Sequence, residues 1–149
     1  MYHIGKEDFY GIAKEILEKG NTLEFIAGGE SMSPFIKDGD TVVVQPPGSL
    51  NIGNIVLCRT AECRLILHRI VRVTRAGVIT RGDACFTDDG FTSFDYTIGK
   101  VVKVSGRGFN FHLRFPFSIL IARGAIRPSG FPRHPLLLSL ARRLTSFLG

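Results

Sequence analysis

The chain has 149 residues and a mass of 16.4 kDa, which is enough for one compact domain and too little for two full ones. Hydrophobic residues make up 44% and charged residues 21% of the sequence, which excludes an intrinsically disordered chain. No apolar run is long enough for a transmembrane helix, and the charged N-terminus lacks the apolar centre of a signal peptide, so the sequence predicts neither.

The net charge of +6 is concentrated at one end of the chain. Residues 106–149 contain seven arginines and no Asp or Glu, whereas residues 1–105 carry 12 basic and 13 acidic side chains. Such an excess of positive charge is typical of a segment that binds an anionic surface, either a membrane or a nucleic acid. We therefore divide the sequence into a predicted domain at 1–105 and a basic C-terminal tail at 106–149.

The predicted domain begins with a helix and continues with short strands. Apolar residues at a helical spacing predict a helix over 6–19, and Gly20 suits its C-terminal cap. Short apolar and β-branched runs, separated by Gly-rich and polar turns, then predict strands. We expect these strands at 22–27, 41–45, 55–60, 64–74, 78–81 and within 96–105. The predicted fold is therefore mainly β with one N-terminal helix.

The end of the tail has a helical pattern. Residues 135–149 place apolar side chains on one face of a helix and two arginines beside it: Leu136, Leu140, Leu144 and Phe147, flanked by Arg142 and Arg143. This pattern predicts an amphipathic helix that lies on a membrane surface or docks on a partner. A terminal helix that packs on its own domain is the alternative.

The cysteines indicate neither a disulfide framework nor a metal site. There are three, Cys58, Cys63 and Cys85, and we interpret them as small apolar fillers. A zinc site would need a fourth ligand and a tighter spacing. The sequence therefore predicts no cofactor and no metal.

Polar side chains in three separate segments form a candidate catalytic set. Ser31 lies in the Gly-rich turn 28–34, where the backbone can approach a substrate closely. His68 lies among isoleucines on a predicted central strand, where a neutral imidazole can act as a general base. Asp83 and Asp89 follow the next strand, and a carboxylate there could orient the imidazole. Taken singly, each residue also has a structural explanation as a turn Ser, a buried His or an Asx turn.

Taken together, the segments occur in a recognisable order. They read G-x-S-M-x-P at 29–34, I-x-x-G-D-x-V-x-V at 36–44, G-x-I-V-x-x-R at 53–59, H-R-I-V-x-V at 68–73 and R-G-D-A-x-x-x-D-D at 81–89. This order resembles the superfamily of serine peptidases that contains the type I signal peptidases and the self-cleaving repressor proteases. The resemblance covers about residues 25–105.

The resemblance implies a small, mostly β catalytic core in which Ser31 is the nucleophile and His68 the general base. Asp89 matches the acidic partner of the histidine, and Asp83 matches the first Asp of the same loop motif, so we rank Asp89 first and Asp83 second. His68 stands where most bacterial signal peptidases and the repressor proteases have a lysine. In this respect the chain is similar to the endoplasmic-reticulum, archaeal and sporulation-type signal peptidases.

The expected function is that of a serine endopeptidase of the signal-peptidase type, which cleaves an extended peptide segment of a precursor protein. The alternative is a non-catalytic relative that binds a peptide or a partner. Nucleic-acid binding is disfavoured, because the sequence has neither a recognition helix nor an aromatic–basic sheet motif. Without a leader or a membrane span, we expect a cytoplasmic or peripheral membrane protein whose tail contacts anionic lipid.

Overall fold

The computed structural model describes residues 6–106 and 109–112. This part of the chain forms one helix, eight strands and a short 3-10 turn. In chain order they are α1 (Lys6–Glu18), β1 (Leu23–Ile26), β2 (Thr41–Gln45), β3 (Ile55–Arg59), β4 (Leu65–Val73), β5 (Gly77–Arg81), β6 (Phe91–Ser93), the 3-10 turn (Phe94–Tyr96), β7 (Thr97–Gly106) and β8 (Phe109–His112).

The strands form a single sheet in which every described pairing is antiparallel. Their order across the sheet is β1-β2-β7-β3-β4-β5-β6, and β8 adds to β7. The prediction of a mainly β fold with one leading helix is confirmed. Strand β6 was not predicted, because Phe91–Ser93 is too short to show an alternation of apolar and polar residues. Strand β8 was not predicted, because Phe109–His112 falls in the segment assigned to the basic tail. The 3-10 turn was not predicted either.

Helix α1 covers one face of the sheet. Its residues Ala13 and Leu17 are buried against inward-facing residues of the strands, including Val44, Val101 and Val104. The helix ends in a Schellman cap, in which Gly20 has a φ of +83° and the next residue donates its N–H to the carbonyl of Ile16. The predicted helix boundary is therefore confirmed to within one residue.

Close packing of α1 on the sheet depends on a glycine in β7. A Cβ placed at Gly99 would overlap Val44 and would lie 3.0 Å from Leu17 Cδ1. The missing side chain lets the helix approach the centre of the sheet. The opposite face carries a smaller apolar cluster formed by Val56, Cys58, Ile70 and Val78. Strand β3 is thus buried on both faces, as a central strand must be.

The tail predicted from residue 106 onward lies outside the described residues, except for Gly106 and β8. The amphipathic helix predicted at 135–149 therefore lies outside them too. No helix within 6–106 is long and apolar enough to cross a membrane.

The three cysteines occupy different environments, so the interpretation of all three as apolar fillers is wrong for one of them. Cys58 is fully buried in the smaller cluster, Cys63 is half-buried and Cys85 is exposed. Burial raises the pKa of the Cys58 thiol from about 9 to about 12.

We predict that iodoacetamide at pH 8 modifies Cys85 in the folded protein and leaves Cys58 unmodified. The thiolate is the nucleophile, and Cys58 is both inaccessible and kept in the thiol form by its raised pKa. Peptide mapping by mass spectrometry measures this. In urea all three thiols should react at similar rates. Equal modification of Cys58 and Cys85 in the native protein would contradict the buried placement.

Candidate active site

Ser31 lies in the loop between β1 and β2, residues 27–40. The neighbouring Met32 and Ile36 are buried in the core and anchor this loop, whereas Ser31 itself is exposed. The turn after Ser31 is closed by hydrogen bonds from the N–H groups of Phe35 and Ile36 to the Met32 carbonyl. Ser31 is therefore an exposed residue on a loop segment that is anchored in the core.

Carboxylates at the end of the same loop hold it closed. Asp38 Oδ1 accepts the backbone N–H of Gly29 at 2.9 Å, and Asp40 Oδ2 accepts the N–H of Lys37 at 2.9 Å. Gly29 and Gly39 both have φ of +85°, a conformation that favours glycine. The Asp-Gly-Asp sequence at 38–40 therefore fixes the backbone on which Ser31 is carried.

His68 lies on β4, opposite Val56 of β3, and is only 8% exposed. Its Nε2 lies 3.2 Å from Ser31 Oγ, and its Nδ1 lies 2.5 Å from Asp89 Oδ2. Because a carboxylate only accepts hydrogen bonds, the proton of a neutral imidazole belongs on Nδ1. Nε2 is then the acceptor for the Ser31 hydroxyl. The structure thus brings Ser31, His68 and Asp89 into one hydrogen-bonded chain.

Asp89 follows β5 and is held in place by Thr80. The backbone N–H of Asp89 donates to the Thr80 carbonyl at 2.7 Å, and the Thr80 hydroxyl donates to Asp89 Oδ2 at 2.7 Å. The Asp89 side chain keeps 29% of its surface exposed.

Asp83, the second-ranked candidate partner of His68, is instead paired with Arg69. Its two carboxylate oxygens accept hydrogen bonds from Nε and Nη2 of Arg69, both at 2.7 Å, and both side chains are 2% exposed. Nη1 of Arg69 donates to the carbonyl of Gly53 at 2.9 Å. Asp83 therefore anchors the loop, and Asp89 is the carboxylate that reaches the imidazole.

Gly82 lets this loop pass directly over Ser31 and His68. A Cβ at Gly82 would lie 2.6 Å from the Ser31 carbonyl oxygen and 3.1 Å from His68 Nε2. Two residues further on, the N–H of Ala84 donates to that same carbonyl at 2.9 Å. The loop and the segment that carries Ser31 are thus joined by a hydrogen bond and leave no room for a side chain between them.

A groove of about 560 Å³ begins at Ser31 and runs between β1 and β4. Its walls are mostly apolar and come from α1, β1, β3 and β4 and from the loop that carries Ser31. They include Phe9, Phe25, Ile26, Met32, Leu57, Leu65 and Leu67. Ile26 is 70% exposed, although it is a large apolar side chain. A groove of this character suits an extended chain with apolar side chains.

Both long walls of the groove are strand edges. Strand β1 pairs with β2 on one side, and β5 pairs with β4 only from Arg69 onward. Within the described residues, the stretch Leu65–His68 therefore has β3 as its only neighbouring strand. Unpaired strand edges offer main-chain donors and acceptors to an added peptide strand.

Comparison with known proteins agrees with this fold. A family model described as Peptidase S24-like matches residues 2–80, more than half of the chain, and the matched span contains both Ser31 and His68. The chain belongs to the Peptidase S24-like family, and so to the superfamily of signal peptidases and repressor proteases. The resemblance predicted from the sequence is thereby confirmed at this level. No curated protein matches the chain.

Sequence reasoning missed the parts played by Thr80 and Arg69. Arg69 had a visible signal, since a charged residue inside an apolar strand requires a buried partner. Thr80 had none, because a threonine in a strand is ordinary.

We predict that Gly82→Ala lowers the free energy of unfolding by about 1–3 kcal/mol, because the added methyl group overlaps backbone that cannot yield. Gly90→Ala is the matched control in the same loop, since nothing lies within 4 Å of its Cβ position. It should change the free energy by less than about 1 kcal/mol. Urea unfolding measures both. Equal effects of the two variants would contradict the close approach at Gly82.

We predict that Asp83→Ala destabilises the fold by about 3–5 kcal/mol, because it leaves the Arg69 guanidinium buried without its counter-charge. Asp88→Ala serves as the control, since its ion pair with Arg81 is more exposed, and it should cost no more than about 1 kcal/mol. Thermal and urea unfolding compare the two. A near-neutral Asp83→Ala would show that the ion pair does not anchor the loop.

Proposed function

We propose that the protein is a serine endopeptidase of the signal-peptidase type, with Ser31 as nucleophile, His68 as general base and Asp89 as the carboxylate that orients it. The observation that carries the proposal is the continuous hydrogen-bonded chain from Ser31 Oγ through the imidazole to Asp89 Oδ2, in which Ser31 lines the groove. Because the family includes non-catalytic members, membership of the family supports the fold but not the catalytic activity. Support for the proposed chemistry comes from the geometry of the site.

The proposed reaction begins with attack of Ser31 Oγ on a peptide carbonyl carbon, while its proton passes to His68 Nε2. The tetrahedral intermediate collapses when the C–N bond breaks, and His68 gives the proton to the leaving amine. The acyl group is then bonded to Ser31 Oγ. A water molecule, deprotonated by His68, hydrolyses this ester and restores the serine. Asp89 stays ionised and stabilises the imidazolium in both steps.

The oxyanion of the intermediate needs hydrogen-bond donors close to Ser31. Residue 29 is a glycine, so no side-chain hydroxyl is available at that position, and its backbone N–H already donates to Asp38. We therefore assign the oxyanion to the backbone N–H of Ser31, with a neighbouring backbone N–H as its partner. Loss of one such donor typically costs about 100- to 1000-fold in rate.

The proposed substrate is an extended segment of a peptide or precursor protein. A chain lying in the groove can hydrogen-bond to the edges of β1 and β4 that have no strand partner within the described residues. This mode of binding recognises the backbone of the peptide rather than its sequence. Alternate side chains of the peptide would face the apolar walls near Met32 and Leu67. Small or apolar side chains fit this surface best. The resemblance to the signal peptidases that use a histidine as the base leads to the same expectation.

A fluorophosphonate probe tests this proposal without knowledge of the substrate. We predict a covalent adduct on Ser31 in the wild type, located by mass spectrometry, and none in Ser31→Ala. His68→Ala should slow acylation by about 100-fold or more, because Ser31 loses its base. Asp89→Asn should also slow it strongly, because the amide can leave the imidazole in the wrong tautomer.

Asp88→Asn is the matched control, since Asp88 adjoins Asp89 and its carboxylate binds Arg81 at 3.2 Å rather than the imidazole. It should be acylated at the wild-type rate. Circular dichroism confirms that each variant is folded. If folded wild-type protein forms no adduct, the proposal of a peptidase is wrong and the non-catalytic, peptide-binding alternative takes its place.

A further inference from the structure

Thr80 contacts the candidate catalytic carboxylate in two ways. Its side chain is fully buried, and its hydroxyl donates to Asp89 Oδ2 at 2.7 Å. Its carbonyl accepts the backbone N–H of Asp89, also at 2.7 Å. The oxygen that receives the Thr80 hydroxyl is the same one that accepts Nδ1–H of His68. One carboxylate oxygen therefore has two donors, from two neighbouring strands.

The second donor matters because the Asp89 carboxylate is not enclosed. Its side chain is 29% exposed, and a carboxylate on a loop can turn about its side-chain bonds toward water. The backbone hydrogen bond to Thr80 fixes the position of the Asp89 main chain, but it does not fix the direction in which the carboxylate points. The buried hydroxyl of Thr80 fixes this direction, because Thr80 lies on a strand in the interior of the sheet.

We propose that Thr80 is a positioning residue for the Ser31–His68–Asp89 set, which holds Oδ2 of Asp89 against Nδ1 of His68. This inference rests on the proposed function and adds a fourth member to it. Thr80 does not touch the reacting atoms, so its contribution acts through Asp89 and the imidazole. Without the hydroxyl, the carboxylate turns toward solvent and His68 is no longer held in the orientation that receives the Ser31 proton.

The test uses the full chain with Thr80→Val and Thr80→Ser. Valine keeps the shape of threonine and removes the hydroxyl, whereas serine keeps the hydroxyl and removes the methyl group. Thr97→Val is the matched control, because Thr97 is also buried in the sheet but its hydroxyl contacts the Ser93 carbonyl and the Cys58 thiol rather than Asp89. Urea unfolding first shows that each variant is folded under the assay conditions.

The first readout is acylation by the fluorophosphonate probe, separated into the limiting rate kinact and the half-saturating concentration KI. Thr80→Val should lower kinact by about 10- to 100-fold, the effect of losing one hydrogen bond to a charged group, and leave KI unchanged. Thr80→Ser should recover kinact to within about threefold of the wild type, because one methyl group has little effect on the alignment. Thr97→Val should leave kinact at the wild-type value.

The second readout is the proton NMR signal of Nδ1–H of His68. A proton held in a short hydrogen bond between an imidazole and a carboxylate resonates far downfield. The signal should be present in the wild type, Thr80→Ser and Thr97→Val, and lost or shifted in Thr80→Val. A purely structural role of Thr80 would lower stability without moving this signal.

Several results would overturn the inference. Wild-type kinact and an unmoved signal in Thr80→Val would remove the positioning role while leaving the peptidase intact. Equal losses in Thr80→Ser and Thr80→Val, or in Thr97→Val and Thr80→Val, would show that the hydroxyl at residue 80 is not responsible. If the wild type itself forms no adduct at Ser31, the proposed function fails and the role of Thr80 fails with it.

Discussion

The buried ion pair between Arg69 and Asp83 is the interaction on which the arrangement of the site depends. Removing two charges from water costs several kcal/mol for each, so the pair is stable only because its hydrogen bonds are satisfied. Here the guanidinium meets both carboxylate oxygens and the Gly53 carbonyl. Arg69 follows His68 on β4, and Asp83 begins the loop that leads to Asp89. The pair therefore fixes the candidate carboxylate relative to the candidate base.

The same pair also touches the segment that carries Ser31. The ring of Phe35 lies 5.5 Å from the Arg69 guanidinium, within the range of a cation–π contact. The loop beyond Asp83 binds the Ser31 carbonyl through Ala84. These contacts thus join three segments that are distant in sequence: the segment that carries Ser31, strand β4 and the loop after β5. Such mutual support holds a catalytic geometry more firmly than any one hydrogen bond between side chains.

Much of the fold was predictable, because its signals are local. The apolar spacing and Gly20 define α1, and β-branched runs between turns define the central strands. Strand β6 was missed because Phe91–Ser93 is too short to show a period, and its pairing with β5 is a property of the folded sheet. The last strand, β8, was missed because its residues belong to the segment that had been assigned to the basic tail.

The residues of the candidate site could be proposed from the sequence, but the hydrogen bonds that connect them could not. Order and spacing singled out Ser31 and His68, and the family match includes both. The resemblance ranked Asp89 above Asp83, but the sequence could not show which of the two reaches the imidazole, because both lie in one loop after the same strand. The structure separates the two carboxylates: Arg69 binds both oxygens of Asp83, whereas the imidazole of His68 binds Asp89. A choice of this kind depends on the path of the chain in three dimensions.

In the part of the chain that the structure describes, β1 and β4 each have an edge without a strand partner. An exposed strand edge can pair with another copy of the same chain, which is a common route to aggregation. Each edge here has an exposed charged residue, Glu24 on β1 and Arg64 just before β4. Charges at such positions are one means by which proteins disfavour sheet-to-sheet association. Within the described residues, the two charges therefore protect strand edges whose main-chain groups have no strand partner.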